Sequence, residues 1–153
     1  MAHGGGVPQL VNEAAGPYWV SVWTSPDPLR TGQVHFTVSV AEPGQGGEAG
    51  PPILGATVRI RLTAAEVEEA ITTVARNEQS ANRLFYEADA MVPAEGQWTA
   101  TVFVTGSEGS GQAAFELQIQ PSQGTSWFLV GAAALLAIGV LFLARSLWRR
   151  SRK

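Results

Sequence analysis

Gln33-Val34-His35-Phe36-Thr37-Val38-Ser39-Val40 alternates strictly, with Val34, Phe36, Val38 and Val40 on one side and Gln33, His35, Thr37 and Ser39 on the other. A period of two marks a strand with one buried and one wet face. The stretch therefore predicts a half-buried β-strand with His35 on its wet side. The pattern recurs downstream. Thr57 to Thr63 turns Val58, Ile60 and Leu62 inward and Thr57, Arg59, Arg61 and Thr63 outward. Gln97 to Thr105 turns Trp98, Ala100, Val102 and Val104 inward, and Phe103 is the aromatic exception on its outer side. Ala113 to Gln120 turns Phe115, Leu117 and Ile119 inward.

Upstream, Tyr18 to Thr24 is dominated by aromatic and β-branched residues and stops at the turn residues Ser25-Pro26-Asp27-Pro28, so it reads as another strand. Trp19 and Trp23 share a face with Ser21, opposite Tyr18, Val20 and Val22. Either this strand is buried on both sides, or its outer face is a docking surface together with Phe103. Arg83 to Met91 reads as a strand closed by the turn Val92 to Gly96. The segment between is ambiguous: Thr63-Ala64-Ala65-Glu66 has the form of a capping box, while Ile71-Thr72-Thr73-Val74 is β-branched. The β-branched run decides for a strand over Ala70–Ala75. Ala41 to Leu54 is too rich in Gly and Pro for a regular element, and Gly106 to Gly111 reads as a hairpin connection. Residues 1–15 read as a flexible arm. These signals predict an all-β fold: an immunoglobulin-like β-sandwich of about seven strands over residues 16–120, with Trp98 at the core centre.

A second signal follows a short linker over 121–126. Trp127 to Ala144, WFLVGAAALLAIGVLFLA, carries no charge and at 1.5 Å per residue spans roughly 27 Å, close to a hydrocarbon core of about 30 Å. It predicts one C-terminal transmembrane helix over 127–148, with Trp127 and Trp148 at the two interfaces. Within it, Ala133 and Ala137 have the spacing of close helix packing. Arg145, Arg149, Arg150, Arg152 and Lys153 form a basic tail, whose last five residues, 149–153, are placed in the cytoplasm by the positive-inside rule. All 13 Asp and Glu of the 153 residues precede the helix, against only Arg30, Arg59, Arg61, Arg76 and Arg83. The part ahead of the helix thus carries about −8 and faces outward, giving a single-pass protein in the cell membrane with the lipid bilayer as one partner. Met1-Ala2-His3-Gly4-Gly5-Gly6 has no apolar signal region, so the expectation is a mature or trimmed form. The alternative is a tail anchor with a cytoplasmic domain.

An acidic domain with scattered Arg argues against nucleic acid as a partner. With no cysteine, disulfides, thiolate metal sites and Cys nucleophiles are excluded as well. The Gly-rich stretches at 44–50 and 106–111 precede no helix and carry no Lys, so they are not phosphate loops.

In order, the landmarks are Gly16-Pro17-Tyr18, Leu29-Arg30-Thr31-Gly32, Gly55-Ala56-Thr57-Val58, Tyr86-Glu87-Ala88 and Gly96-Gln97-Trp98. This series, spanning residues 16–120, resembles the YtkA-like domain family, which also takes in FixH proteins. The resemblance implies a bacterial, membrane-tethered, extracytoplasmic immunoglobulin-like sandwich in a family associated with cation or copper handling and with assembly of respiratory oxidases. FixH-type members carry an N-terminal anchor where this chain has a C-terminal one. No metal ligand of the family carries over onto these residues.

The expected function is a non-catalytic binding or assembly module for a membrane complex of respiratory type, with a membrane protein as partner and without a cofactor. The alternative is copper or another cation held by His3 and His35: cleavage after Ala2 would make His3 an N-terminal chelator, with His35 as a further nitrogen. No catalytic set is expected. A Ser-His-Asp arrangement needs a carboxylate behind the His, and none is legible beside His35. Glu87 and Asp89, at i, i+2 on one strand face, are expected to form a wet charge ladder with Arg59 and Arg61.

Overall fold

Every alternating stretch forms a strand. The computed structural model describes residues 6–78 and 80–122, and these contain eight strands: β1 Val7–Ala15, β2 Tyr18–Ser25, β3 Gly32–Ala41, β4 Thr57–Ala64, β5 Val67–Ala75, β6 Tyr86–Val92, β7 Gly96–Gly106 and β8 Gly109–Ile119. They pair antiparallel into two four-stranded sheets, ordered β1-β2-β3-β6 and β5-β4-β7-β8. Between the sheets lies one core built from the inward sets read above: Val34, Phe36, Val38 and Val40 of β3 are all fully buried, as are Val58 and Ile60 of β4. Trp98 is 1% exposed, and its Nε1 donates to Ala94 O at 3.1 Å, so the large apolar ring enters the core with its polar edge satisfied. The β-branched run after Glu66 forms β5, as its composition requires.

Two expectations about boundaries are corrected. Residues 1–15 are not simply an arm, because Val7–Ala15 pairs with β2 as an edge strand. Its register slips between Pro8 and Leu10 and again between Leu10 and Glu13, and Asn12 takes a left-handed φ of 52°. These irregularities destroy the period-two pattern that betrays the other strands. At the far end the domain runs past 120. Thr31 N donates to Gln120 O, Arg30 Nη1 to Pro121 O and Ser122 N to Thr31 Oγ1, at 2.9, 3.0 and 2.9 Å. Pro121 and Ser122 are therefore tied to the β2–β3 connection. No helix among the described residues is long and apolar enough to cross a membrane. The predicted helix over 127–148, the rest of the linker and the basic tail lie outside the described residues.

Two buried tyrosines fasten loops to the core. Tyr18 Oη donates to Gly109 O and accepts from Glu108 N, at 3.2 and 3.1 Å, which secures the tight β7–β8 hairpin. Tyr86 Oη donates to Ile53 O at 2.8 Å and accepts from Ala56 N at 3.0 Å, which closes the Gly- and Pro-rich β3–β4 connection onto β6. Burial pushes the Tyr86 phenol above its ordinary value of 10.0, against a smaller opposing effect of the Ala56 hydrogen bond. A raised phenol favours the folded state at neutral pH. That contribution is complete below pH 10 and is lost as pH rises through the raised value. Tyr86→Phe is expected to cost about 1–2 kcal/mol at neutral pH, by stranding two backbone groups. The variant should also flatten the alkaline fall in stability, as measured by denaturant unfolding across that range.

Candidate functional site

The outward side of the β1-β2-β3-β6 sheet carries most of the chemistry outside the core. Alternation along β2 sends Tyr18, Val20, Val22 and Thr24 inward, and leaves Trp19, Ser21 and Trp23 outward. Cross-strand register builds rows across this face: Pro8, Trp23, Thr37 and Glu87 in one, Ser25, His35 and Asp89 in the next. Both Trp side chains are half-buried, and the Trp23 ring meets Phe85 edge-on with centroids 5.8 Å apart. Beside them Ser21 and Thr37 are each only 7% exposed, although neither belongs to the inner core. The bulged Asn12 covers Ser21: its backbone N donates to Ser21 Oγ at 2.9 Å and Ser21 Oγ donates to Asn12 Oδ1 at 3.2 Å. Asn12 Nδ2 donates to Gly47 O at 3.0 Å, bringing the β3–β4 connection to the same edge. The outcome lies between the two readings of Trp19 and Trp23, with an outer face partly roofed by its own side chains and loops.

Phe103 does not join them. It lies on the outer side of β7 in the opposite sheet, half-buried, with Arg59 and Gln112 as its cross-strand neighbours. Trp19 and Trp23 thus face one way and Phe103 the other, so the three cannot form a single docking surface.

The expected charge ladder is also overturned. β6 pairs with β3 and β4 pairs with β5 and β7, so Glu87 and Asp89 are in one sheet while Arg59 and Arg61 are in the other. What Asp89 finds across the strand is His35. His35 Nδ1 and Asp89 Oδ1 are 2.9 Å apart, the one ion pair among the described residues. The hydrogen bond from His35 holds the Asp89 carboxyl below its ordinary range, helped by Gln33 and opposed by desolvation. The small stability this brings is present above the ordinary carboxylate range and lost as pH falls through the lowered value. With side chains 38% and 54% exposed, the pair is water-screened and contributes little to folding.

His35 and Asp89 line an open cleft of about 300 Å³ with Val74, Arg76, Ser80, Glu87 and Ala88. Ser80 is in the wall, but its hydroxyl donates to Asn82 O and accepts from Asn82 N, at 2.8 and 3.2 Å. The Ser80 hydroxyl is thereby committed to its own turn and does not complete a relay with His35 and Asp89. No group of three or more His, Cys, Asp or Glu able to hold a metal occurs among the described residues. His3 lies outside them, and Nδ1 of His35 is already engaged by Asp89. A second concavity of about 300 Å³, at the β2–β3 turn, is walled by Pro26, Pro28, Leu29 and Leu117.

No protein-family model matches this chain, and no curated protein matches it.

Proposed function

We propose that the protein is a single-pass, membrane-anchored, extracytoplasmic immunoglobulin-like sandwich of YtkA-like type. In this reading it acts without catalysis, as a binding or assembly module for a membrane-protein complex of respiratory type. Strand order supports the fold part: β3 beside β6, β4 beside β7 and β7 beside β8 reproduce the B–E, C–F and F–G pairings of immunoglobulin-like sandwiches. The apolar run from Trp127 and the basic residues behind it support the anchor.

One observation carries the binding role. Trp19 and Trp23 stand on the outer face of β2, outside the core, and the Trp23 ring meets Phe85, just ahead of β6, edge-on. Half-buried Trp on a stiff strand can give a partner large contact area at small entropic cost, and Trp is the residue most enriched at binding hot spots. The test is purification of the full chain from native membranes in mild detergent. A stoichiometric membrane partner is expected. It should be lost at least tenfold in a folded Trp19→Ser/Trp23→Ser variant, and retained in Leu54→Ser, which alters an exposed apolar residue of the β3–β4 connection. A copper ion copurifying without any protein would overturn the assembly reading, as would capture indifferent to the two Trp.

A further inference from the structure

On the opposite side of the sandwich, the β5-β4-β7-β8 sheet presents a face of different chemistry. Arg59 and Arg61 stand on β4, an interior strand of that sheet, and both are exposed. Their cross-strand neighbours are Val74 and Phe103 for Arg59, and Thr72 and Thr101 for Arg61. None is acidic, and neither Arg enters an ion pair among the described residues. Glu116, on the same outer side, is two strands away on β8 and takes a hydrogen bond from Thr99 Oγ1 at 3.0 Å. Glu68 and Glu69 sit near the start of β5, beyond the irregular pairing between Leu62 and Ala64. The rest of the face is mainly hydroxyl and amide: Thr57, Thr99, Thr101, Thr105, Gln112 and Gln118.

We infer that this face is a docking surface for an extended acidic segment of a partner protein, held through Arg59 and Arg61. Charge complementarity is the first argument. The domain carries about −8, so two guanidinium groups with no carboxylate beside them form a positive island that draws an anion to this side. Spacing is the second. Residues i and i+2 of a strand are about 6.7 Å apart on one face, and alternate carboxylates of an extended chain repeat at the same distance. One register therefore satisfies both guanidinium forks, each able to take a carboxylate in two parallel hydrogen bonds. Flanking Thr hydroxyls donate to the segment's carbonyls, and Phe103 beside Arg59 gives it an apolar contact. An anionic bilayer is the weaker occupant, because mobile head groups present no fixed carboxylate spacing to match the two guanidinium forks.

The experiment uses the full chain in phosphatidylcholine nanodiscs. The probe is a labelled peptide of alternating Glu and Thr, followed by fluorescence anisotropy. Binding is expected at about 50 mM salt and should weaken steeply towards about 500 mM. Arg59→Gln/Arg61→Gln should weaken it at least tenfold, and Arg59→Lys/Arg61→Lys, which keeps the charge but removes the fork, at least threefold. A peptide of equal composition with its Glu residues adjacent should bind less well. Absence of wild-type binding at low salt, equal binding by the Gln variant, or preference for phosphatidylglycerol vesicles over the peptide would overturn the inference. The Lys variant keeps the test decisive should the Gln variant fold poorly.

Discussion

Trp98→Ala is expected to lower the unfolding free energy by about 3–5 kcal/mol, the range for removing a large buried aromatic. Trp98 is the largest fully buried side chain of the core and reaches across it from β7, an interior strand of its sheet. Truncation removes its apolar area and leaves a cavity within a core of fully buried side chains, whose strands cannot collapse inward without distorting their ladders. It also strands the carbonyl of Ala94 in the β6–β7 turn. Denaturant titration followed by far-ultraviolet circular dichroism measures the loss. Trp98→Phe, which keeps a ring in the site, should cost clearly less; equal loss in both variants would mean that the indole N–H, and not the packing, is the main contribution.

Gly111→Ala is expected to be the second most damaging change, at about 1–3 kcal/mol or more, because the clash it creates is with backbone. A Cβ at Gly111 would lie 2.0 Å from Ala15 O and 2.4 Å from Gly16 N. Gly111 lies near the start of β8, and Ala15 is the last residue of β1, so this is where the edges of the two sheets approach each other. No side chain can rotate away to make room, and one edge strand must move off the other. Gly55→Ala is the matched control, since a Cβ there meets nothing within 4 Å; it should change stability by no more than about 0.5 kcal/mol. Equal effects of the two substitutions in thermal unfolding would show that the β1–β8 contact does not bear on stability.

The two predictions differ in how far they could be reached from the chain alone. Trp98 stands out by alternation: it is the largest residue on the inward side of a run whose other inward members are Ala100, Val102 and Val104. Gly111 carries no such mark, because its necessity comes from Ala15, nearly a hundred positions earlier. β1 was hidden for a related reason. Its bulges at Asn12 cancel the local periodicity, and its place in the sheet depends on pairing with β2 and on the bonds from Asn12 to Ser21 and Gly47.

The candidate sites divide in the same way. His35 is legible as an outward residue from its own strand, but its partner Asp89 lies 54 residues away and is indistinguishable by pattern from Glu87 or any other outward acid. Register alone selects it. The ladder expected between Glu87, Asp89, Arg59 and Arg61 fails because alternation says which side of a strand a residue is on and not which sheet the strand enters.

By itself, then, the order of amino acids determined the all-β class, the inward sets of the alternating strands and the separation of an acidic domain from an apolar run with basic residues behind it. Each of these follows from local period or composition, which residues carry with them wherever the chain goes. Only the tertiary structure decided that Trp19 and Trp23 face away from Phe103, that His35 meets Asp89, and that Arg59 and Arg61 have no acid partner among the described residues. These depend on which strands pair and in what register, and that is settled by burying the inward faces of both sheets together, a condition on the whole domain at once.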